Sequence, residues 1–217
     1  MARSSRTPPS CGLYRVKVYG KKDVPPNPQG RGLYAAGIAH KRPDLPMEEN
    51  GRLHDPALRE NVVIRTFVHA HWRVLLAAVL TAKSLIAFHT AYKYLVMAHS
   101  IRGYRLLGRL LSDLLTGVER IAGQYFSQLM LALAQPASRG GRANVLSHLQ
   151  GCVKDQLSGS SRKGPAKMIR SYCRGEPPLM APLALLKHHL GEHEATYAWN
   201  QIYLQLHPVS AGLPRDL

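Results

Sequence analysis

Polar and cationic side chains recur at helical spacing in the second half of the chain. His89 and Lys93 lie four residues apart, as do Asn144 and His148, so each pair falls on one face of a predicted helix. Cationic groups bind phosphates, amides and imidazoles contact base edges, and tyrosine rings offer stacking faces, a combination that favours RNA over duplex DNA. We expect the RNA-binding residues to be Lys93, His99, Arg102, Arg105, Arg139, Arg142, Asn144, His148 and Arg174.

The same imidazoles and amides also have structural interpretations. His89 and His99 could be half-buried histidines with one satisfied hydrogen bond each, and Asn144 with His148 could be a polar core pair that caps the preceding loop. Zinc ligation by His89 and His148 is a further alternative, but neither an HExxH nor a CxxC motif accompanies them. The sequence also lacks GxxxxGK[ST], GxSxG and GxGxxG, so nucleotide hydrolysis and serine hydrolysis have no support.

Charge is the most unusual property of the composition. The 217 residues include 29 Lys and Arg against 13 Asp and Glu, which gives a net charge of +16. A field of that size attracts polyanions and accelerates their association, but it does not determine the fold. Nucleic acid is the commonest partner of such a chain, and an anionic membrane surface is the next. We expect tRNA or another structured RNA as the partner, and no membrane.

The cysteines and the first residues bear on the compartment. Cys11, Cys152 and Cys173 are widely spaced and form no CxxC pair, which argues against a disulfide framework and fits a reducing cytoplasm. Residues 1–9 contain arginines but no apolar core of a secretory signal. The stretch 74–97 resembles a membrane span, but charged residues interrupt it well short of the ~20 apolar residues that a spanning helix needs. We therefore expect a cytoplasmic protein in which this stretch forms buried helices.

Residues 1–52 are predicted to form an incomplete α/β fragment of one strand and one short helix. Apolar and basic residues alternate over Leu13–Tyr19, which is typical of a half-buried strand, whereas Pro25–Gly30 has the composition of a loop. A short helix is predicted over Gly32–His40. Since one strand cannot form a sheet, its pairing partner would have to come from a missing segment or another chain.

Residues 56–217 are predicted to form an all-helical domain of about seven helices, so the chain is mainly α. Asp55 and Pro56 have the residue types of a helix cap and first turn. The leucines that we expect to face the core at helical spacing are Leu106, Leu107, Leu110, Leu111, Leu114 and Leu115.

Two loops are predicted within this domain. Ser138–Arg142 is expected to be a flexible basic loop, either simply solvated or a phosphate clamp, and Ser158–Pro165 a second loop. A helix is predicted between them over Asn144–Leu157. Further short helices are predicted over Met168–Cys173, Pro182–Leu190 and Ala195–Leu206.

Several of these strings resemble a known family. From Glu60 onward, FHTAYKYLVMAHS, YRLLG, ANVLSHLQG and YCRGEPPLMAPL resemble the bacterial YbgA-like domain over roughly three quarters of the chain. PSCGLYRVKVY, GRGLYAAG and PMEENGRLHDPALREN resemble the end of a TudS-like desulfidase module, which often precedes that domain. The two-module proteins resemble tRNA 4-thiouridine desulfidases, in which three cysteines hold a [4Fe-4S] cluster that accepts sulfur and the helical domain is taken to hold tRNA.

This sequence departs from that pattern in the catalytic module. Only the last cluster cysteine has a counterpart, Cys11, and the family's catalytic Ser three residues before it is replaced by Pro8. The other two cysteines and the catalytic Glu would precede Met1. A cluster held by one thiolate would be labile, and Pro8 can neither donate nor accept a proton. We therefore expect no catalytic residue and no cofactor in this chain, which should bind RNA without turnover.

Two rival functions stay open at this level. The chain could be part of a desulfidase that is active only with a missing N-terminal half. It could instead be a protein-interaction domain that buries a leucine-rich face and uses its charge only for solubility.

Overall fold

The computed structural model describes residues 16–18, 27–30, 32–153, 159–192 and 196–206; at 16–18, 27–30, 115–116 and 159–162 it describes the backbone alone. By its internal contacts the chain divides into two units, with the boundary between His71 and Trp72. The sequence predicts a domain boundary at residues 52–56 instead. We refer to the parts before and after the contact boundary as the N-terminal unit and the helical unit.

The N-terminal unit contains a two-stranded antiparallel sheet. Strand β1 (Val16–Val18) pairs with β2 (Asn27–Gly30), with Val16 opposite Gly30 and Val18 opposite Asn27. The prediction of a single unpaired strand followed by a loop was therefore wrong. Pro28 lowers the strand propensity of this stretch. A proline is nevertheless tolerated on an edge strand, because the N–H that it lacks is not needed for a hydrogen bond to a neighbouring strand.

Helix α1 (Leu33–Lys41) confirms the short helix predicted over Gly32–His40, and a 3-10 helix covers Asn50–His54. Helix α2 (Pro56–Ala77) begins where its capping residues place it. Asp55 Oδ1 accepts hydrogen bonds from the backbone N–H groups of Ala57 at 2.8 Å and Leu58 at 3.2 Å. The prediction of Asp as the cap and Pro in the first turn is confirmed.

The remaining residues confirm a mainly α fold. Within the described part of 56–206 there are nine α-helices rather than about seven, and two of them, each of four residues, divide the predicted 195–206 helix. After α2 they are α3 (Ala82–His99), α4 (Ile101–Leu110), α5 (Val118–Ala132), α6 (Arg139–Gly151), α7 (Gly159–Arg174), α8 (Met180–Glu192), α9 (Thr196–Trp199) and α10 (Ile202–Gln205). No helix in the described ranges is both long and apolar enough to cross a membrane.

Helix α3 lies at the centre of the helical unit and packs against α4, α5, α6 and α10. Five consecutive residues, Tyr94 to Ala98, are buried, so the helix is enclosed on all sides near its end. Nearby, Trp72 stacks on Phe126 with ring centroids 4.9 Å apart and meets Phe88 edge-on at 5.2 Å. These aromatic contacts join the end of α2 to α3 and α5.

The leucine-rich segment after α3 forms less of the core than its spacing predicts. Leu107 is fully buried, but Leu106, Leu110, Leu111 and Leu114 are only partly buried. For Leu111 and Leu114 the physical reason is that α4 ends at Leu110 and a 3-10 helix covers Leu111–Thr116. Its three residues per turn rotate the leucines away from the face that the α-helical period assigns them. The side chain at position 115 lies outside the described part.

The predicted basic loop at residues 138–142 is helical instead. Ser138 caps α6 by accepting a hydrogen bond from the Gly141 backbone N–H at 3.0 Å, so Arg139 and Arg142 lie in the first turn of a helix. The glycines there have a packing reason: a Cβ at position 141 would collide with the Ala98 carbonyl oxygen, whereas one at Gly140 would meet nothing within 4 Å. Helix α6 ends at Gly151 and so stops before the predicted Leu157.

The predicted loop at 158–165 is also helical from Gly159 onward, with Pro165 inside α7. An internal proline removes one helical hydrogen bond and usually disfavours such a helix. Pro165 is buried, and the burial of its ring offsets part of that cost. Local propensity therefore predicted a loop where the structure has the first half of α7. The apolar positions of this helix pack against α6 and α8.

Replacement of Gly141 by Ala should destabilise the protein. The new methyl group would push α6 away from the end of α3, and overpacking of this kind costs about 1–3 kcal/mol. Urea unfolding followed by circular dichroism measures the change. Gly140→Ala, one residue away in the same helix, is the matched control and should be neutral or stabilising by up to ~1 kcal/mol because alanine favours helix. Equal effects of the two substitutions would contradict the close packing of α3 and α6.

Candidate nucleic-acid interface

Helix α4 presents a row of arginines. Ser100 ends α3 and caps α4 by accepting a hydrogen bond from the Gly103 backbone N–H at 3.0 Å. With Leu107 turned into the core, Arg102, Arg105 and Arg109 fall on the exposed side at i, i+3 and i+7. The capped start and the single buried leucine position thus align three guanidinium groups.

These arginines line a cleft of about 600 Å³ between α4 and α5, which we call the basic cleft. Its other polar walls come from His99, Gln128 and Gln135. No carboxylate is among its lining residues in the described part, and none of the described carboxylates forms an ion pair with the three arginines. The cleft is therefore an uncompensated positive surface with hydrogen-bonding amides on one side.

Close approach of α4 and α5 forms the floor of the basic cleft. A Cβ at Gly103 would lie 2.5 Å from the Ala132 Cβ, nearer than real side chains approach. His99 closes one end, because its Nδ1–H donates to the Gln135 carbonyl oxygen at 2.8 Å. His99, an expected RNA-binding residue, thus lines the basic cleft with Arg102 and Arg105, and it also makes the hydrogen bond of its structural interpretation.

A second depression, of about 520 Å³, adjoins the same arginines. We call it the His89 depression; its lining includes His89, Tyr104, Arg105, Arg109 and Ser112. His89 Nδ1 lies 3.0 Å from the Tyr125 hydroxyl oxygen. Burial, together with the nearby Lys93 charge, lowers the pKa of His89 to about 4, so the ring is neutral at pH 7.

The expected residues Lys93 and His148 meet around Tyr94 and line neither depression. Lys93 Nζ lies 5.2 Å from the Tyr94 ring centroid and 5.0 Å from that of Tyr197. The His148 ring stacks on Tyr94 with centroids 6.1 Å apart. Asn144 is exposed one turn before His148 on α6. The Lys93 ammonium group could contact a phosphate, and the exposed His148 imidazole could contact a base edge. Both side chains, however, already contact tyrosine rings.

Arg139 serves as a clamp between helices. It donates a hydrogen bond to the Tyr172 carbonyl oxygen at 3.2 Å, and its guanidinium lies 5.5 Å from the centroid of the Tyr172 ring. Gly175, with φ of 90°, makes room for it, because a Cβ there would lie 2.7 Å from the guanidinium nitrogen. Arg142 Nε donates to the Ala137 carbonyl oxygen at 3.4 Å. Both arginines thus have protein partners.

Arg174 is paired with an acid. Its Nε lies 2.5 Å from a Glu176 carboxylate oxygen, and its Nη2 donates to the Ser171 hydroxyl at 3.0 Å. The pair is fully exposed, so it contributes little to stability. However, Glu176 neutralises the charge that a phosphate would meet.

Arg109, Gln128 and Gln135 are site residues that the sequence reasoning missed. Arg109 was detectable, because it continues the row of Arg102 and Arg105 by one further turn. The two glutamines carried no such signal, since their place opposite α4 depends on how α5 packs.

The candidate metal ligand Cys11 and the replaced Ser position, Pro8, lie outside the described residues. Among the residues that are described, no three His, Cys, Asp or Glu side chains form a group that could hold a metal. Cys152 and Cys173 are exposed and belong to no such group. The described donor set therefore does not fit a [4Fe-4S] cluster, which would depend on Cys11 and on ligands outside this part.

The lowered pKa of His89 predicts that the stability of the protein depends on pH. Its pKa is lower in the folded protein than in the unfolded chain, so its contribution to stability is complete above about pH 6.5 and is lost as the pH falls towards 4. His89→Gln keeps a polar group near Tyr125 but does not titrate. Unfolding free energies at pH 7.5 and 5 should fall more for the wild type than for this variant; equal losses would show that His89 is not desolvated.

Comparison with known proteins identifies the family to which the chain belongs. Residues 93–208 match the family described as "Protein of unknown function (DUF1722)". The "Uncharacterized protein YbgA" of Escherichia coli (strain K12) is 32% identical over 151 residues, which cover 69% of this chain and 89% of that protein. No solved structure matches. The chain therefore belongs to the DUF1722 family and carries a YbgA-like domain.

Proposed function

We propose that the helical unit binds structured RNA, with tRNA as its ligand, through the basic cleft. The observation that carries this proposal is the row of Arg102, Arg105 and Arg109 on one face of α4, with no acidic residue among the described lining of the cleft. Arginine guanidinium groups match phosphate oxygens in geometry and can bind them through two hydrogen bonds. The net charge of +16 adds long-range attraction.

The spacing of the row suits a phosphate backbone. At ~1.5 Å rise per residue, the Cα atoms at positions 102 and 109 are about 10 Å apart along the helix axis. A row of that length can contact more than one phosphate of the same RNA strand. Gln128 and Gln135 on the facing wall can donate further hydrogen bonds to phosphate or ribose oxygens.

The other expected RNA-binding residues have secondary roles in this proposal. Arg139 and Arg142 hold α6 in place, and Arg174 is paired with Glu176. Lys93, Asn144 and His148 would shape the groove beside Tyr94 rather than supply most of the electrostatic attraction.

We also propose that this domain serves a tRNA 4-thiouridine desulfidase-like protein of the cytoplasm. The support is the resemblance of the segment around Cys11 to the end of a TudS-like module. In that family three cysteines hold the [4Fe-4S] cluster that accepts the sulfur, and this chain has a counterpart of only one of them, Cys11. By the same resemblance, the role that we propose for this domain is to hold the tRNA.

Docking to a protein is the second candidate function, and exposed apolar side chains favour it. Val74, Leu76 and Val79 near the end of α2 are 70%, 49% and 84% exposed, although the sequence predicts that this stretch is buried. Exposed apolar side chains mark a protein contact where they form a contiguous patch. Such binding would depend little on salt, which separates it from RNA binding.

Substitution in the arginine row should weaken tRNA binding and its salt dependence together. The affinity of the full chain for total tRNA should fall steeply with salt, and Arg102→Ala or Arg109→Ala should reduce the slope of log K against log salt by about 1 each. Fluorescence anisotropy with labelled tRNA between 50 and 200 mM salt measures both quantities.

Arg170→Ala is the matched control, since Arg170 is exposed on α7 and lines neither depression. It should leave the slope within about a third of a unit of the wild type. Absence of tRNA binding at low salt, or binding without salt dependence, would refute the proposed function. A stoichiometric protein partner recovered without RNA would then favour docking.

A further inference from the structure

The two depressions on α4 share two arginines. Arg105 and Arg109 line both the basic cleft and the His89 depression, whereas Arg102 lines the basic cleft alone. A strand whose phosphates lie on this row would therefore pass the mouth of the His89 depression. At about 520 Å³, the depression falls within the ~300–1,000 Å³ range of small-ligand sites.

An aromatic residue, Tyr104, is among the lining of the His89 depression. Tyr104 is half-buried and lies one residue before Arg105 on α4. Other tyrosines of the helical unit stack on neighbours, as Tyr92 does on Phe88 and Tyr125 on Trp72, but no described ring stacks on Tyr104. A ring without a stacking partner beside two cationic groups is the arrangement by which proteins hold an unstacked base.

The lining also supplies a neutral polar group. His89 uses Nδ1 for its contact with the Tyr125 hydroxyl, and no described residue forms a hydrogen bond with its other ring nitrogen, Nε2. That nitrogen can donate or accept, depending on which tautomer the tyrosine selects. Ser112 lines the same depression; its hydroxyl donates to the Arg109 carbonyl oxygen at 2.6 Å, and its oxygen can still accept a hydrogen bond. The depression thus combines a stacking face with two groups able to contact a base edge.

We propose that the His89 depression holds one unstacked nucleotide of the bound RNA. The base lies on the Tyr104 ring with its polar edge towards His89 and Ser112, and its flanking phosphates lie on Arg105 and Arg109. This inference rests on the proposed RNA-binding function and adds to it the recognition of an unpaired base. Phosphate contacts alone would not distinguish a paired from an unpaired nucleotide.

Hairpin RNAs that differ at one position test the subsite. One set carries a single-nucleotide bulge with each of the four bases in turn, a second hairpin carries an abasic residue at the bulge, and a third is fully paired. Binding of the full chain to each is measured by fluorescence anisotropy at constant salt. The best base-bearing bulge should bind about tenfold more tightly than the abasic one, since stacking on an aromatic side chain has an effect of this size.

Substitutions in the His89 depression test whether the preference for a base-bearing bulge arises there. Tyr104→Ala should abolish the difference between base-bearing and abasic hairpins, whereas Tyr104→Phe, which keeps the stacking face, should retain it. His89→Gln should reduce the difference and leave binding to the abasic hairpin unchanged. Arg102→Ala is the matched control: it should weaken binding to every hairpin by the same factor and leave the ratio intact.

The outcomes separate this inference from the function on which it rests. Equal binding of all hairpins by the wild type would overturn the nucleotide subsite but leave RNA binding standing. A base preference that survives in both Tyr104→Ala and His89→Gln would overturn it too. If Tyr104→Ala does not fold, as judged by circular dichroism, Tyr104→Leu replaces it. Failure of every hairpin and of tRNA to bind would overturn both proposals.

Discussion

Burial of the second half of α3 is the constraint on which the helical unit depends. With five consecutive residues enclosed, Tyr94 to Ala98, this helix has no solvent face there, and neighbouring helices must approach it closely. Gly141 permits one such approach, since any side chain at that position would strike the Ala98 carbonyl. The chain then leaves the core at His99, and the Ser100 cap starts α4 in a new direction.

The new direction of the chain after His99 places the arginines of α4 on the surface. Arginines occur in several helices, but their neighbours give them different roles. Arg139 is bound to a carbonyl and an aromatic ring, and Arg174 is neutralised by Glu176, whereas Arg102, Arg105 and Arg109 face a cleft with no carboxylate in its described lining. A phosphate would therefore gain more at α4 than at Arg139 or Arg174, because at α4 it would not have to displace an existing partner.

Several features of the fold were predictable from short-range signals. The Asp55 cap, helix α1 and the mainly α class depend on local propensity and periodicity, and the structure confirms them. The predictions at Ser138–Arg142 and around Pro165 were wrong because glycine and proline are unfavourable in an isolated helix. Packing of α6 against α3 and of α7 against α8 outweighs that preference. A local sequence pattern cannot predict these contacts, because the neighbouring helices are distant in the sequence.

The candidate site was likewise predictable from the sequence only in part. Residue type and helical spacing by themselves determined that α4 carries aligned arginines, that the chain is strongly basic and that Arg102 and Arg105 share a face, since these follow from covalent order and the helical repeat. Only the tertiary structure decided that Gln128 and Gln135 stand opposite, that His89 is neutral beneath Tyr125, and that Arg139 is engaged with Tyr172. The physical reason is that charge, burial and hydrogen-bond partners belong to contacts between distant residues, which sequence spacing does not specify.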